Sequence, residues 1–178
     1  TAEWRANDRP TPWRLGDTYH LAIGQGDLEV TPLQVANGIA TIANGGTVYQ
    51  PHIVKSVSNP DGGNTQNHNA AVIRKTLIPL QYLKDVQFGM RQGVLAGSSR
   101  AMQSLPIQVA GKTGTAQFGN QGKTHAWYAV YAPYDHPTIA MIVLIEGGGE
   151  GNATALPVAK NVLQWYFTQG AGKSLTAH

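Results

Sequence analysis

Apolar positions recur along this chain in two rhythms, three and four apart in some stretches and unbroken or alternating in others. Val35, Ala36, Ile39, Ile42 and Ala43 share one helical face. Ahead of them, Thr31 can cap the helix, Pro32 suits its first position and Gln34 can return the capping hydrogen bond, while Asn44-Gly45-Gly46 supplies a stop. A second helix is predicted from about Pro79 to Val94 on Leu83, Val86, Met90 and Val94. A third runs from about Ala153 to Thr168 on Ala155, Val158, Ala159, Val162, Leu163, Tyr166 and Phe167, with Pro157 tolerated in its first turn.

Three stretches read as strands: Val109 to Gln117, Ala126 to Tyr131, and Thr138 to Ile145. Pro133 to Pro137 makes a tight connection between the last two, as antiparallel neighbours need. The unbroken run Ile139 to Ile145 predicts a strand covered on both faces, ended by Gly147 to Gly151. Val48 to Val57 reads as extended, with a bend or edge at Pro51, then a polar hairpin tip from Ser58 to Asn64 and a second strand near Ala71 to Lys75. The opening stretch through about Asp17 has no pattern and reads as irregular, and residues 168–178 as a flexible tail. Helices before and after antiparallel strands make the class α+β, an antiparallel sheet flanked by helices in one unit spanning 1–178.

Composition narrows the chemistry. The chain has 178 residues, 42% of them apolar, enough for a core. A formal net charge of +3, with its cations scattered, makes no case for nucleic acid. Cysteine is absent, which removes disulfides and thiolate chemistry. The longest apolar run, Ile139 to Ile145, falls far short of the roughly 20 residues that span a bilayer. His20, His52, His68, His125, His136 and His178 form no ligand spacing, so neither a metal nor another cofactor is expected.

The chemically suggestive segment is Val109-Ala110-Gly111-Lys112-Thr113-Gly114-Thr115-Ala116-Gln117. On a strand, alternation sends Lys112 and Gly114 to one face and Thr113 and Thr115 to the other. An ammonium and two hydroxyls suit a carboxylate, Gly114 admits a close approach, and a free N–H on a strand edge can polarise a carbonyl. Gly111-Lys112-Thr113 also ends like a phosphate-binding loop, but that motif needs glycine five positions before Gly111, where Pro106 stands. K-T-G is one of three signatures of serine acyl-transferases of the penicillin-binding type, and the S-x-x-K and S-x-N signatures are missing. Ser98 and Ser99 have no base beside them in sequence, and Glu146 and Glu150, set among glycines, read as turn residues.

Five ordered blocks extend that likeness over about Trp13 to Phe167. Gly16 to Gly26, Val30 to Ala36 with Ile42 to Gly46, Val109 to Gln117, His125 to Tyr128, and Leu156 to Lys160 resemble the C-terminal part of the transpeptidase domain of class B penicillin-binding proteins, in particular the elongation-type branch, penicillin-binding protein 2. The resemblance implies a five-stranded antiparallel sheet of which three strands are present here. It also implies a peptidoglycan D,D-transpeptidase that binds stem peptides and β-lactams, with the serine nucleophile outside this chain. Lys112 and Thr115 are then the catalytic candidates, and Thr113, Gly114 and Thr115 the substrate-binding ones. Lys112 would assist proton movement, both threonines would hold the terminal carboxylate, and the Thr115 N–H would form half of an oxyanion hole. Cell-wall elongation proteins are the expected partners, on the periplasmic face of the plasma membrane, with the anchor elsewhere. The uncovered edge of the Thr138 to Ile145 strand invites self-association. A non-catalytic β-lactam sensor and a scaffold module are the alternatives.

Overall fold

The computed structural model describes residues 12–26, 28–61, 64–119 and 122–173. A helix, α1 (Leu15–Ala22), opens the described part, followed by α2 (Pro32–Ala43). The segment read as irregular through Asp17 is therefore helical from Leu15. The Asp17 carboxylate accepts the Arg14 N–H at 2.7 Å and sits in the first turn, where the helix dipole favours a negative charge. The pattern missed α1 because none of its residues is buried. The start of α2 is the predicted reciprocal cap: Thr31 N donates to Gln34 Oε1 at 2.8 Å, and Gln34 N to Thr31 Oγ1 at 3.3 Å.

An arm of two stacked ladders follows. β1 (Thr47–Tyr49) pairs with β4 (Val72–Lys75), and beyond it β2 (Ser56–Ser58) pairs with β3 (Thr65–Asn67). The single strand expected from Val48 to Val57 is thus two, interrupted around Pro51, which has no N–H to give a ladder. The strand across the polar tip is β3, and Ala71 to Lys75 pairs one storey lower. β3 is Thr-Gln-Asn, fully exposed, so no apolar alternation marks it. Part of the tip, Gly62 and Gly63, lies outside the described residues.

α3 (Leu80–Leu95) leads through a 3₁₀ turn (Arg100–Ser104) into the main sheet, β5 (Ala110–Phe118), β6 (Lys123–Ala132) and β7 (Ile139–Ile145), in the order β5-β6-β7, all antiparallel. α4 (Ala155–Thr168) closes the described chain. The sheet carries a core on each face. On one side Val94, Met102, Leu105, Val109, Tyr128, Val130, Leu156, Leu163 and Phe167 are buried together, joining α3, the 3₁₀ turn and α4 to the sheet. On the other, Ala110 and Tyr131 pack with Met90 of α3 and with Ile39, Ile42 and Ala43 of α2. β7 has neighbours on both faces, as its unbroken apolar run predicts, yet every residue of it is only half-buried. It is an outer strand, and among the described residues no strand lies beside its second backbone edge. Of the expected tail, Gly172 N donates to Tyr166 O at 3.1 Å and folds the chain back on α4, while 174–178 lie outside the described residues.

Candidate active site

β5 is the other outer strand among the described residues, and α3 lies against the first half of its free edge. In an antiparallel strand the N–H and C=O of one residue point the same way, so alternate residues address the edge. Val109 O faces outward and accepts Arg91 Nη1 of α3 at 3.0 Å. Gly111 O also faces outward, so close to α3 that a Cβ on Gly93 would stand 3.0 Å from it. α3 ends at Leu95, and two residues further along the strand Thr113 meets the loop residue Ser98 instead. Thr115 O accepts a single hydrogen bond from Gln25 Nε2 at 3.0 Å, and the Thr115 N–H shares that outward direction.

The side chains alternate as expected. Thr113 lies opposite Tyr128 and Thr115 opposite Ala126, on the face that holds the larger core. Each hydroxyl has a partner there: Thr113 Oγ1 is 2.8 Å from Ser98 Oγ, and Thr115 Oγ1 donates to Glu150 Oε2 at 3.2 Å. Lys112 and Gly114, opposite Ala129 and Trp127, take the other face. There a cleft of about 950 Å³ runs between the strand and the residues Ile23 to Gly26 and Leu28 to Val30, with Trp127, Ala129 and Ile142 also lining it. Lys112 is exposed, and its ammonium donates to Thr113 O at 2.6 Å, against the open edge.

Three glycines set the spacing around this strand. A Cβ on Gly111 would overlap the Tyr128 hydroxyl, which rests on the strand from the core side. That hydroxyl is buried with no hydrogen bond, and burial pushes the phenol up to about 12; the nearby Ser99 hydroxyl pulls the other way without closing a well-formed bond. Gly151 presses on the backbone of Gly114 and Trp127 from the same side. Gly114 is pinched from its other side as well, since a Cβ there would stand 3.1 Å from Trp127 Cβ. His125 lines the cleft but is engaged in packing: its ring stacks on Phe118 at 3.9 Å and Nδ1 accepts Gly147 N–H at 3.2 Å. Among the described residues no group of three His, Asp or Glu could hold a metal ion.

The four residues singled out from sequence therefore stand together, as neighbours on one strand must. The structure adds three that sequence reasoning did not assign: Gln25 on the Thr115 carbonyl, Ser98 on the Thr113 hydroxyl and Glu150 on the Thr115 hydroxyl. Gln25 had a sequence signal in the Gly24-Gln25-Gly26 block. Ser98 and Glu150 had none, because they reach β5 from loops 15 and 35 residues away.

Residues 4–164 match the family model described as the penicillin binding protein transpeptidase domain. The chain belongs to that family. Among curated relatives it is 32% identical to the peptidoglycan D,D-transpeptidase MrdA of Haemophilus influenzae, over 95% of this chain and 28% of the relative, and 34% identical to the D,D-transpeptidase PbpA of Mycobacterium tuberculosis, over 88% and 35%. Among solved structures it is similar to Pseudomonas aeruginosa PBP2 in complex with WCK 5153, at a TM-score of 0.79 and 30% identity over 97% of this chain and 38% of that one. It is also similar to the ceftriaxone acyl-enzyme of M. tuberculosis penicillin-binding protein A, at 0.73 and 33% over 82% and 34%. The chain thus spans about a third of the length of the relatives it matches. The fold is that of these transpeptidase domains, and the likeness includes the PBP2-type branch expected from sequence.

Proposed function

We propose that this chain forms one wall of the active site of a peptidoglycan D,D-transpeptidase, and that the nucleophilic serine comes from residues outside these 178. The observation that carries the reading is the half-covered edge of β5. In a penicillin-binding transpeptidase domain it presents the Thr115 N–H and C=O outward, with the Thr113 and Thr115 hydroxyls and the Lys112 ammonium grouped around it. An extended acyl donor adds to such an edge as a further strand. The Thr115 N–H then stabilises charge growing on the scissile carbonyl oxygen, and Thr113 and Thr115 hold the terminal carboxylate. Gln25 has to yield the Thr115 carbonyl to the incoming chain.

The serine oxygen attacks the penultimate D-alanine carbonyl, the C–N bond breaks, and D-alanine leaves with the proton on its amine. An amine of a neighbouring stem peptide then displaces the serine, forming the cross-link and returning the proton. Lys112, on the cleft side of β5, stabilises the developing negative charge and assists that proton movement. β-Lactams enter as mimics of the D-alanyl-D-alanine end.

Leu15, Tyr19 and Leu33 are exposed, as are Ile23 and Leu28, which line the cleft, and such apolar surface suits contact with the remainder of such a domain. The open edge of β7 would take that domain's further strands, and in the isolated chain would pair with a copy of itself. Among the described residues no helix is long and apolar enough to cross a membrane, and we place the anchor in another part of the protein, with this part on the periplasmic side among cell-wall elongation proteins.

The test is labelling by a fluorescent penicillin. The 178-residue chain alone should remain unlabelled, while the full-length protein should be labelled on a serine outside it. An adduct mapped to any serine within these 178 residues refutes the assignment of the nucleophile.

A further inference from the structure

Glu150 places a carboxylate on the hydroxyl that the proposed mechanism gives to the substrate's own carboxylate. Thr115 Oγ1 donates to Glu150 Oε2 at 3.2 Å, and a hydroxyl has one proton to donate. The backbone on either side of Glu150 is pinned. Gly149 exchanges hydrogen bonds with Thr124, its N–H reaching Thr124 O at 3.2 Å and its carbonyl accepting Thr124 Oγ1 at 3.1 Å. Gly151 is pressed on the backbone of Gly114 and Trp127, leaving no room for a side chain. Glu150 O itself accepts Ala153 N at 3.1 Å and Thr154 N at 3.2 Å, at the approach to α4. The loop thus delivers the carboxylate to Thr115 by construction, while the exposed side chain keeps the rotamer freedom to swing into solvent.

We infer that Glu150 is a specificity-determining residue, a built-in carboxylate that competes with carboxylate-terminated acyl donors for the Thr115 hydroxyl. The inference rests on the reading of Thr115 as a carboxylate-holding residue. A donor ending in a carboxylate must displace Glu150 and then sit near a second negative charge. A donor whose corresponding end is neutral meets no such repulsion, so the side chain tilts the site away from anionic ends.

The experiment uses the full-length protein and two fluorescent penicillins, one with its free carboxylate and one as the methyl ester. Second-order acylation rate constants are measured for wild type, Glu150→Gln and Glu150→Ala. With the free carboxylate, both variants should react about two- to fivefold faster than wild type, the range expected for relieving an exposed like-charge contact, and the gain should shrink in high salt. With the ester, all three proteins should agree within about twofold. An unchanged or slower reaction of both variants with the free carboxylate overturns the inference, as does an equal gain with both probes. Failure of the wild-type protein to be labelled by the free-carboxylate probe overturns the transpeptidase reading itself and this inference with it.

Discussion

Replacing Gly151 by alanine puts a methyl group where two strands leave no space. Its Cβ would stand 2.5 Å from Gly114 O and 3.1 Å from Gly114 N, and closer still to Trp127 O. An ordinary carbon–oxygen contact is about 3.3 Å or more, so the loop would have to withdraw by close to 1 Å. Both obstructing oxygens are backbone atoms of the paired strands β5 and β6, so neither can rotate aside as a side chain would. Withdrawal stretches the hydrogen bonds that tie the loop down: Gly149 N to Thr124 O, Thr124 Oγ1 to Gly149 O, and Thr154 Oγ1 to Gly148 O at 3.0 Å. It also drags on Ala155 and Leu156, which are buried in the larger core. Loss of one or two such hydrogen bonds, at about 1 kcal/mol each, together with the strain of overpacking, amounts to about 2–4 kcal/mol. For a chain of this size that lowers Tm by roughly 5–15 °C. Urea unfolding of the 178-residue chain followed by circular dichroism measures it. Gly38→Ala is the internal control: a Cβ there meets nothing within 4 Å, in the interior of α2, and the change should be neutral or stabilise by up to about 1 kcal/mol. A Gly151→Ala protein within 0.5 kcal/mol of wild type would refute the argument that the loop is clamped to the strand.

Tyr128 predicts an alkaline limit. Its phenol titrates near 10 when unfolded and near 12 when folded, so the folded state holds the proton longer and the contribution, complete below pH 10, is lost as pH rises through about 12. Tyr128→Phe should be neutral or slightly stabilising at pH 8, by up to about 1 kcal/mol, and should flatten the fall between pH 10 and 12; Tyr131, raised by burial and by Tyr134 and Asp135, keeps part of the slope. A loss above about 1 kcal/mol at pH 8 would mean that the hydroxyl is hydrogen-bonded after all. Ser98→Ala removes the partner of the Thr113 hydroxyl and should slow penicillin acylation of the full-length protein about fivefold, with Ser98→Thr restoring the rate and Tm unchanged in both; equal rates in all three would remove Ser98 from the site. Light scattering of the isolated chain should show self-association that rises with concentration through the open edge of β7, and a monomer at every concentration would count against that pairing.

Much of this molecule is local, and local physics is legible in a sequence. The reciprocal cap of Thr31 and Gln34, the buried stripe of α4 and the strand at Lys112 to Thr115 follow from residue types and spacings within one or two turns of the chain. Alternation along that strand is a property of its own backbone, so it placed the two threonines on one face and the lysine on the other before any packing was known. Two of the elements that bury nothing, α1 and β3, escaped for want of an apolar rhythm, while the equally exposed β4 was legible in its Val72-Ile73 pair. What only the tertiary structure decided is which groups meet β5 from a distance. Gln25, Ser98 and Glu150 approach it from 90, 15 and 35 residues away, and no spacing rule connects them to it. α3 covers one half of the strand's edge and leaves the other open because Gly93 lets its backbone come down on Gly111, an arrangement that exists only once helix and sheet have packed. The residue types of the Lys112–Thr115 segment are thus written in the chain, while its accessibility and the Glu150 carboxylate beside it are set by the fold.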